Sequence, residues 1–423
     1  MNKLAITLSP IKLRLTAFLI IFSIGLIGVY ELFLQNTNEY MGYRPLIFSF
    51  GYFFGLTITI LFSTNLIAKS LEKPSDFFPF FYCILIIIPY GVLHEIAGPI
   101  KIDIFFLNMT VLFIPVILVK LATKNTLYFK TPTLISISHL VGLIIACAIL
   151  GTMYVAINAP VSSGFDILSS HLRRLEAREI FLGSSLGAYI SSITLNGLLP
   201  LLAYHFGSRG RGFPLLIVLI CGVIFYYTLG VKAHFLMIFV GYLLGRNVRL
   251  HRLGRIWIQM RWLIILIFLA FAIEFLSIEY SFIADYLIRR LFSIPSFILS
   301  GYLDLIANPA NNWEIWSGID SSRNVTYLVG ELYFNDPDAN ANTNTFVYQI
   351  AANGILSYIL SIILVIIVLI LIDSNYAVKN NHVFMYLGFI FSILLVEQNA
   401  TTVLLSSGVG LLLLAFSLTS ADG

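Results

Sequence analysis

Apolar runs recur along the whole chain, separated by short polar stretches that hold most of the lysines and arginines. Runs of roughly 18–25 residues can each cross a hydrocarbon layer of about 30 Å as α-helix. Helix is also the conformation that satisfies every backbone polar group within its own segment where water is absent. The pattern predicts twelve spans, at 13–35, 45–67, 77–97, 103–121, 133–153, 179–206, 213–231, 233–246, 262–281, 346–372, 383–399 and 402–419. The seventh and eighth share "FPLLIVLICGVIFYYTLGVKAHFLMIFVGYLLG", long for one helix and tight for two, with Lys232 at the bend. The expected fold class is therefore an all-α polytopic membrane protein, one transmembrane domain over residues 1–423. Two long loops, 154–178 and 282–345, interrupt it, and each bears a short amphipathic helix.

Composition agrees. Of the 423 residues, 59% are hydrophobic and 11% charged, where a soluble chain carries about 25% charged residues. The three cysteines, Cys83, Cys147 and Cys221, fall inside apolar runs with no metal-like or disulfide-like spacing, and read as small packing residues. The first apolar run lacks a small-residue cleavage site close behind a short core, so it reads as a retained helix.

The placement of charge says more than the net +4. With the N-terminus cytoplasmic, sixteen lysines and arginines collect on the cytoplasmic side, and the opposite short loops hold Arg44, Lys101 and Lys232. That asymmetry puts both termini in the cytoplasm and both long loops outside. The remaining six basic residues lie in those loops and all are arginine: Arg173, Arg174 and Arg178 in the first, Arg289, Arg290 and Arg323 in the second. Guanidinium is the planar fork that grips phosphate in two-point fashion.

Two stretches concentrate these arginines. In "SSHLRRLEARE" (169–179), Leu168, Leu172 and Leu175 form an apolar line, and Arg174 and Arg178 stand four apart on another face. The stretch suits a helix in the outer interface that holds a lipid-linked phosphate. An ordinary interfacial helix with Arg173 paired to Glu176 explains the same pattern. In "YLIRRLFSIP" (286–295), Tyr286, Leu287, Leu291 and Phe292 give an apolar face, Arg289 and Arg290 protrude, and Pro295 ends or kinks the helix. Two arginines on phosphate would contribute about 1.5–3 kcal/mol each, whereas a snorkelling pair needs no ligand. Lys232, between Gly230 and His234, is either a functional intramembrane cation or a loop lysine reaching water.

Other candidates are less pointed. Asp336, Asp338, Asn340, Asn342 and Asn344 place oxygens as a calcium loop would, but Ala341 and Val347 stand where its glycine and closing glutamate belong. A solvated turn accounts for the stretch, and amides contacting sugar hydroxyls are the alternative. Possible bases near the outer face are His171, Glu176, Glu179, Asp166, Glu274, Glu279, Glu331 and Glu397, and the pattern singles out none. Tyr302, Trp313, Trp316 and Tyr333 could stack on sugar faces or anchor the interface.

Four stretches carry a family likeness over roughly 150–420: "LRRLEAREIFLGSSLGAYISSITLNGLLPLLA", "YYTLGVKAHFLMIFVGYLLG", "YLIRRLFSIPSFILSGYLDLI" and "ANTNTFVYQIAANGILSYIL". In arrangement and short motifs the chain resembles the bacterial oligosaccharide repeat-unit polymerases, the Wzy-type O-antigen polymerases, related in fold to the O-antigen ligases. It departs where the re-entry motif often continues with a second glycine and this chain has Ser357. The resemblance implies an inner-membrane inverting glycosyltransferase that needs no metal or cofactor. Its substrate would be an undecaprenyl pyrophosphate-linked oligosaccharide, moved onto a new lipid-linked repeat unit. Membrane lipids and a chain-length regulator would be its partners, with no nucleic acid. On this reading Arg290, Arg178 and Arg174 stabilise the leaving pyrophosphate, and Glu179 is a catalytic carboxylate. Arg173, Arg289, Arg323, Lys232, Tyr302, Asn342 and Asn344 bind substrate. Rival readings are a lipid-linked-sugar flippase or secondary transporter, which twelve spans would suit but which tends to show repeated halves and midplane charges, and a ligase with the same chemistry and another acceptor.

Overall fold

The computed structural model describes residues 10–125, 127–129, 131–159, 169–181, 183, 185–231, 233–320 and 324–420. In chain order the principal helices are α1 (Ile11–Thr37), α2 (Phe50–Leu66), α3 (Pro74–Leu93), α4 (Ile102–Ala122), α5 (Ile137–Asn158) and α6 (Ser169–Ile180). There follow α7 (Leu186–Arg209), α8 (Gly212–Leu229), α9 (Ala233–Arg249), α10 (Leu253–Ile278) and α11 (Ala284–Ala307). A hairpin of β1 (Trp313–Glu314) and β2 (Gly318–Ile319) leads to α12 (Val325–Phe334), α13 (Thr345–Lys379), α14 (Val383–Leu394), α15 (Ala400–Leu405) and α16 (Val409–Ser417). Among the described residues nine helices are long and apolar enough to cross a membrane: α1, α3, α4, α5, α7, α8, α10, α11 and α13. This is a multi-pass, all-α membrane protein.

The sequence pattern and the structure part at α11. The stretch expected to open a long loop is instead a continuous helix of 24 residues, apolar enough to span. Its first ten residues wind as π-helix and show one polar and one apolar side, and the apolar side is buried through Ala284, Ile288 and Phe292. The expected spans at 45–67, 233–246, 383–399 and 402–419 are shorter helices, the last of them broken into α15 and α16 at Gly408.

The chain divides into two compact units. The first comprises residues 1–125, 257–368 and 392–399. Its interior is aromatic: Phe22 of α1 meets Phe268 of α10 and Phe292 of α11 at ring-centre distances of 5.8 and 5.2 Å, and Phe80 stacks on Trp257 at 4.2 Å. Two carboxylates hold the chain between α1 and α2, Glu31 accepting from Leu46 N–H at 2.9 Å and Glu95 from Ile47 N–H at 2.8 Å.

In the same unit the β-hairpin is locked to α13 by main chain. Gly354 interrupts the helix with φ 76°, and Ile355 N–H donates to the Ile315 carbonyl at 2.7 Å. A Cβ at Gly354 would lie 2.6 Å from the Trp316 carbonyl carbon; one at Gly318, where φ is 80°, would lie 2.5 Å from that of Ala352. Only glycine admits both the left-handed backbone and the approach.

The second unit comprises residues 126–256, 369–391 and 400–423. Here α7 and α9 pack backbone to backbone through Gly207, Gly241 and Gly245; a Cβ at Gly245 would lie 2.1 Å from the Tyr204 carbonyl oxygen. The Gly241-x-x-x-Gly245 spacing is the small-residue pattern that lets apolar helices approach so closely. Elsewhere in this unit, buried Lys379 donates to the carbonyls of Ser417 and, at 2.7 Å, Thr419, satisfying acceptors left open at the end of α16.

Candidate functional site

Of the arginines expected to act together, Arg173, Arg174 and Arg178 belong to the second unit, and Arg289 and Arg290 to the first.

In the second unit the arginines ride on α6, which presents its faces opposite to the simple amphipathic expectation. Leu172 and Leu175 are exposed (62% and 44%), while Arg173 and Ala177, four apart, point inward with 1% and 0% exposure. Arg173 lies over the ring of Tyr226 on α8, its guanidinium carbon 5.4 Å from the ring centre. That placement gives a desolvated cation a π face. The Tyr226 ring in turn meets Phe235 of α9 edge-on at 6.2 Å. Arg174, next along, is exposed and within electrostatic reach of His234 in the first turn of α9. Among the described residues the buried Nδ1 of His234 has no hydrogen-bond partner. His234 thus joins the arginine cluster, although its sequence position marked it only as a neighbour of Lys232. Glu176 and Glu179 are exposed. Lys232, the Arg178 side chain, Asp166 and the His171 side chain lie outside the described residues.

In the first unit the pair on α11 separates in the same way. Arg289 is anchored: its Nε donates to Asp285 Oδ1 at 2.9 Å and to the Asp285 carbonyl at 3.0 Å, and Nη1 donates to Asn38 Oδ1 at 2.9 Å. Both partners of the ion pair are largely buried, with side-chain exposures of 13% and 14%. Tyr280 adds a hydroxyl to the other oxygen of Asp285 at 3.3 Å. Arg290, one residue on, is exposed. In each Arg-Arg pair one guanidinium is fixed within its unit and the next is presented.

The remaining expected ligands fall into three groups. Tyr302 is fully buried and its hydroxyl donates to the Ala341 carbonyl at 2.9 Å, which ties α11 to the turn before α13. Asn344, also at 0% exposure, accepts at Oδ1 from Tyr82 Oη at 3.1 Å and from the Phe346 and Val347 amides, capping α13. Both hold the fold in place. Asn342 is exposed, and Arg323 lies outside the described residues. The Asp336 carboxylate accepts from Asp338 N–H at 3.0 Å, a local Asx turn. Tyr333 donates to Asp304 at 2.6 Å, and burial first, then that carboxylate, hold its phenol above the ordinary range.

The candidate bases separate as well. Glu274 accepts from Ser281 Oγ at 2.6 Å and Ile283 N–H at 3.0 Å, organising the corner between α10 and α11. Glu397, in the turn between α14 and α15, keeps an accessible side chain, yet desolvation by the surrounding protein raises its carboxyl above the ordinary range. An accessible carboxylate with raised proton affinity is what base catalysis at a hydroxyl requires. Among the described residues no group of three or more His, Cys, Asp or Glu could hold a metal.

No family model matches the chain, and comparison with curated proteins and with solved structures finds no match for it either.

Proposed function

We propose that this chain is a polymerase of lipid-linked oligosaccharide repeat units. It would transfer the growing glycan, with inversion, from a polyprenyl pyrophosphate onto the free end of a new lipid-linked unit. In this reading the protein has twelve spans and sits in the bacterial inner membrane. Both termini are cytoplasmic, and the segments that carry the paired arginines face outward. The observation that supports it most is the common division of the two Arg-Arg pairs. Arg173, over the Tyr226 ring, and Arg289, clamped by Asp285 and Asn38, fix their helices, and Arg174 and Arg290 beside them are exposed.

A pyrophosphate leaving group accumulates negative charge as the glycosidic bond breaks. Presented guanidiniums stabilise that charge without reorganising. Arg290 in the first unit, and Arg174 and Arg178 in the second, are each candidates to serve the leaving group, with Lys232 and Arg323 as further cations. A carboxylate removes the proton from the acceptor hydroxyl, and Glu397 suits that role through its raised proton affinity, alongside the exposed Glu179.

The test is reconstitution of the purified chain in vesicles with a purified lipid-linked repeat unit. A ladder of products, each longer by one unit, is expected. Movement of the unit across the bilayer with no lengthening, or transfer of a single unit to another acceptor, overturns the reading.

A further inference from the structure

Within the first unit a cleft of about 580 Å³ opens between the last turns of α1 and α10, lined by Leu32, Phe33, Asn36, Thr37, Phe275, Leu276, Glu279 and Tyr280. Its two ends differ. Leu32 and Leu276 are 61% and 83% exposed, and their outward surfaces suit a hydrocarbon chain. Beyond them, where both helices stop, stand Asn36, Thr37, Glu279 and the ring of Tyr280. This end carries one carboxylate with no lysine or arginine paired to it among the described residues. The nearby cation, Arg289, is committed to Asp285 and Asn38, and Tyr280 turns its hydroxyl to the same Asp285. Glu279 is held at this corner by a left-handed backbone (φ 55°) with its amide donating to the Phe275 carbonyl at 2.8 Å, and its side chain is exposed.

We infer that this cleft is a binding site for a bilayer phospholipid with a primary-amine headgroup, the ammonium on Glu279 and Asn36 and an acyl chain along Leu32, Phe33, Phe275 and Leu276. The charge selects the occupant. An anionic headgroup would meet an unneutralised carboxylate, and a trimethylammonium headgroup carries positive charge but no N–H to donate. A primary ammonium supplies both charge and donors, and a charge-assisted hydrogen bond to carboxylate is the stronger kind. A free sugar fits the polar end but leaves the leucine walls uncovered. The inference does not rest on the polymerase reading, because none of the lining residues is among those assigned to pyrophosphate.

The probe is full-length protein in detergent, titrated with dioleoyl-phosphatidylethanolamine, -phosphatidylcholine or -phosphatidylglycerol, with bound lipid counted by native mass spectrometry. The amine lipid is expected to bind about tenfold more tightly than the choline lipid, the low end of what one charge-assisted hydrogen bond contributes. Glu279→Gln, at an exposed position, should leave thermal unfolding of the lipid-free protein unchanged and remove the preference. Leu276→Trp, which fills the apolar wall, should weaken both lipids together. Equal binding of the lipids, a preference for the anionic lipid, or a preference that survives Glu279→Gln overturns the proposal. So does tighter competition for the cleft by a polyprenyl phosphate, which would reassign it to the substrate.

Discussion

Arg289 and Arg290 are adjacent and chemically identical, and the structure assigns them opposite sensitivities. Arg289→Ala removes the ion pair to Asp285 and the donor to Asn38 Oδ1, at sites where the side chains of Arg289 and Asp285 are 13% and 14% exposed and Asn38 is 1% exposed. The Asp285 carboxylate would then remain largely buried, with the Tyr280 hydroxyl as its remaining side-chain donor. Stripping one partner from a buried pair costs about 3–5 kcal/mol, and an orphaned buried amide oxygen adds about 1 kcal/mol or more. Partial exposure lowers the total, so a loss of about 3 kcal/mol is expected. Arg289→Lys keeps the charge but not the fork, and should lose about half as much. Arg290→Ala, at an exposed position, should change stability by about 0.5 kcal/mol or less, while abolishing the product ladder and leaving single lipid-linked units. The assays are thermal unfolding in detergent and the vesicle reaction, run on the same preparations. If Arg290→Ala makes products of normal length, the presented guanidinium has no part in the chemistry. Were Arg289→Ala to unfold at the wild-type temperature, the anchoring role would be wrong.

Other expectations follow from single sites. Gly354→Ala and Gly318→Ala each force a side chain into a left-handed backbone and against the opposing main chain, and should each cost more than about 2 kcal/mol in thermal unfolding. Glu95→Gln keeps an acceptor for Ile47 N–H, whereas Glu95→Ala orphans that amide and should cost about 1–3 kcal/mol. Burial raises the Glu95 carboxyl, so the fold binds its proton more tightly than the unfolded chain does. Its contribution is therefore fully present below the ordinary carboxylate range and is lost as pH rises through the raised value. Glu95→Gln should flatten that decline in a melting-temperature series across pH. For Glu397, raised in the same direction, base catalysis predicts activity that climbs with pH through the raised value. Glu397→Gln should abolish the ladder with unfolding unchanged, and Glu179→Gln run beside it tells which carboxylate acts.

Most of the helices were legible because a lipid-facing helix must be apolar on most of its surface, and runs of that length have few other uses. The sequence misleads where polarity and burial part company. The start of α11 holds Asp285, Arg289 and Arg290 within six residues and so reads as interfacial, although Arg289 neutralises Asp285 inside the unit. On α6 the line through Leu172 and Leu175 suggests an inward apolar face, a rule drawn from proteins surrounded by water; here Arg173 takes the inward side because Tyr226 is there to receive it. The Gly241-x-x-x-Gly245 spacing is a local signal for the closeness of α7 and α9, but one that hydropathy and charge placement do not register. Nothing local distinguishes Tyr302 or Asn344, both buried struts, from residues open to a sugar. Their partners Ala341 and Tyr82 are far away along the chain.

The interlock at Gly354 governs how force can travel through the first unit. Since Ile315 and Ile355 share a main-chain hydrogen bond and the two glycines admit no spacer, a push on the hairpin reaches the break in α13 as directly as a hand on a crank. A substrate that presses on exposed Trp316 (73%) would therefore tilt the first turns of α13, with no slack taken up between. Cross-linking the hairpin to that helix should then leave turnover untouched, because the two already move as one piece.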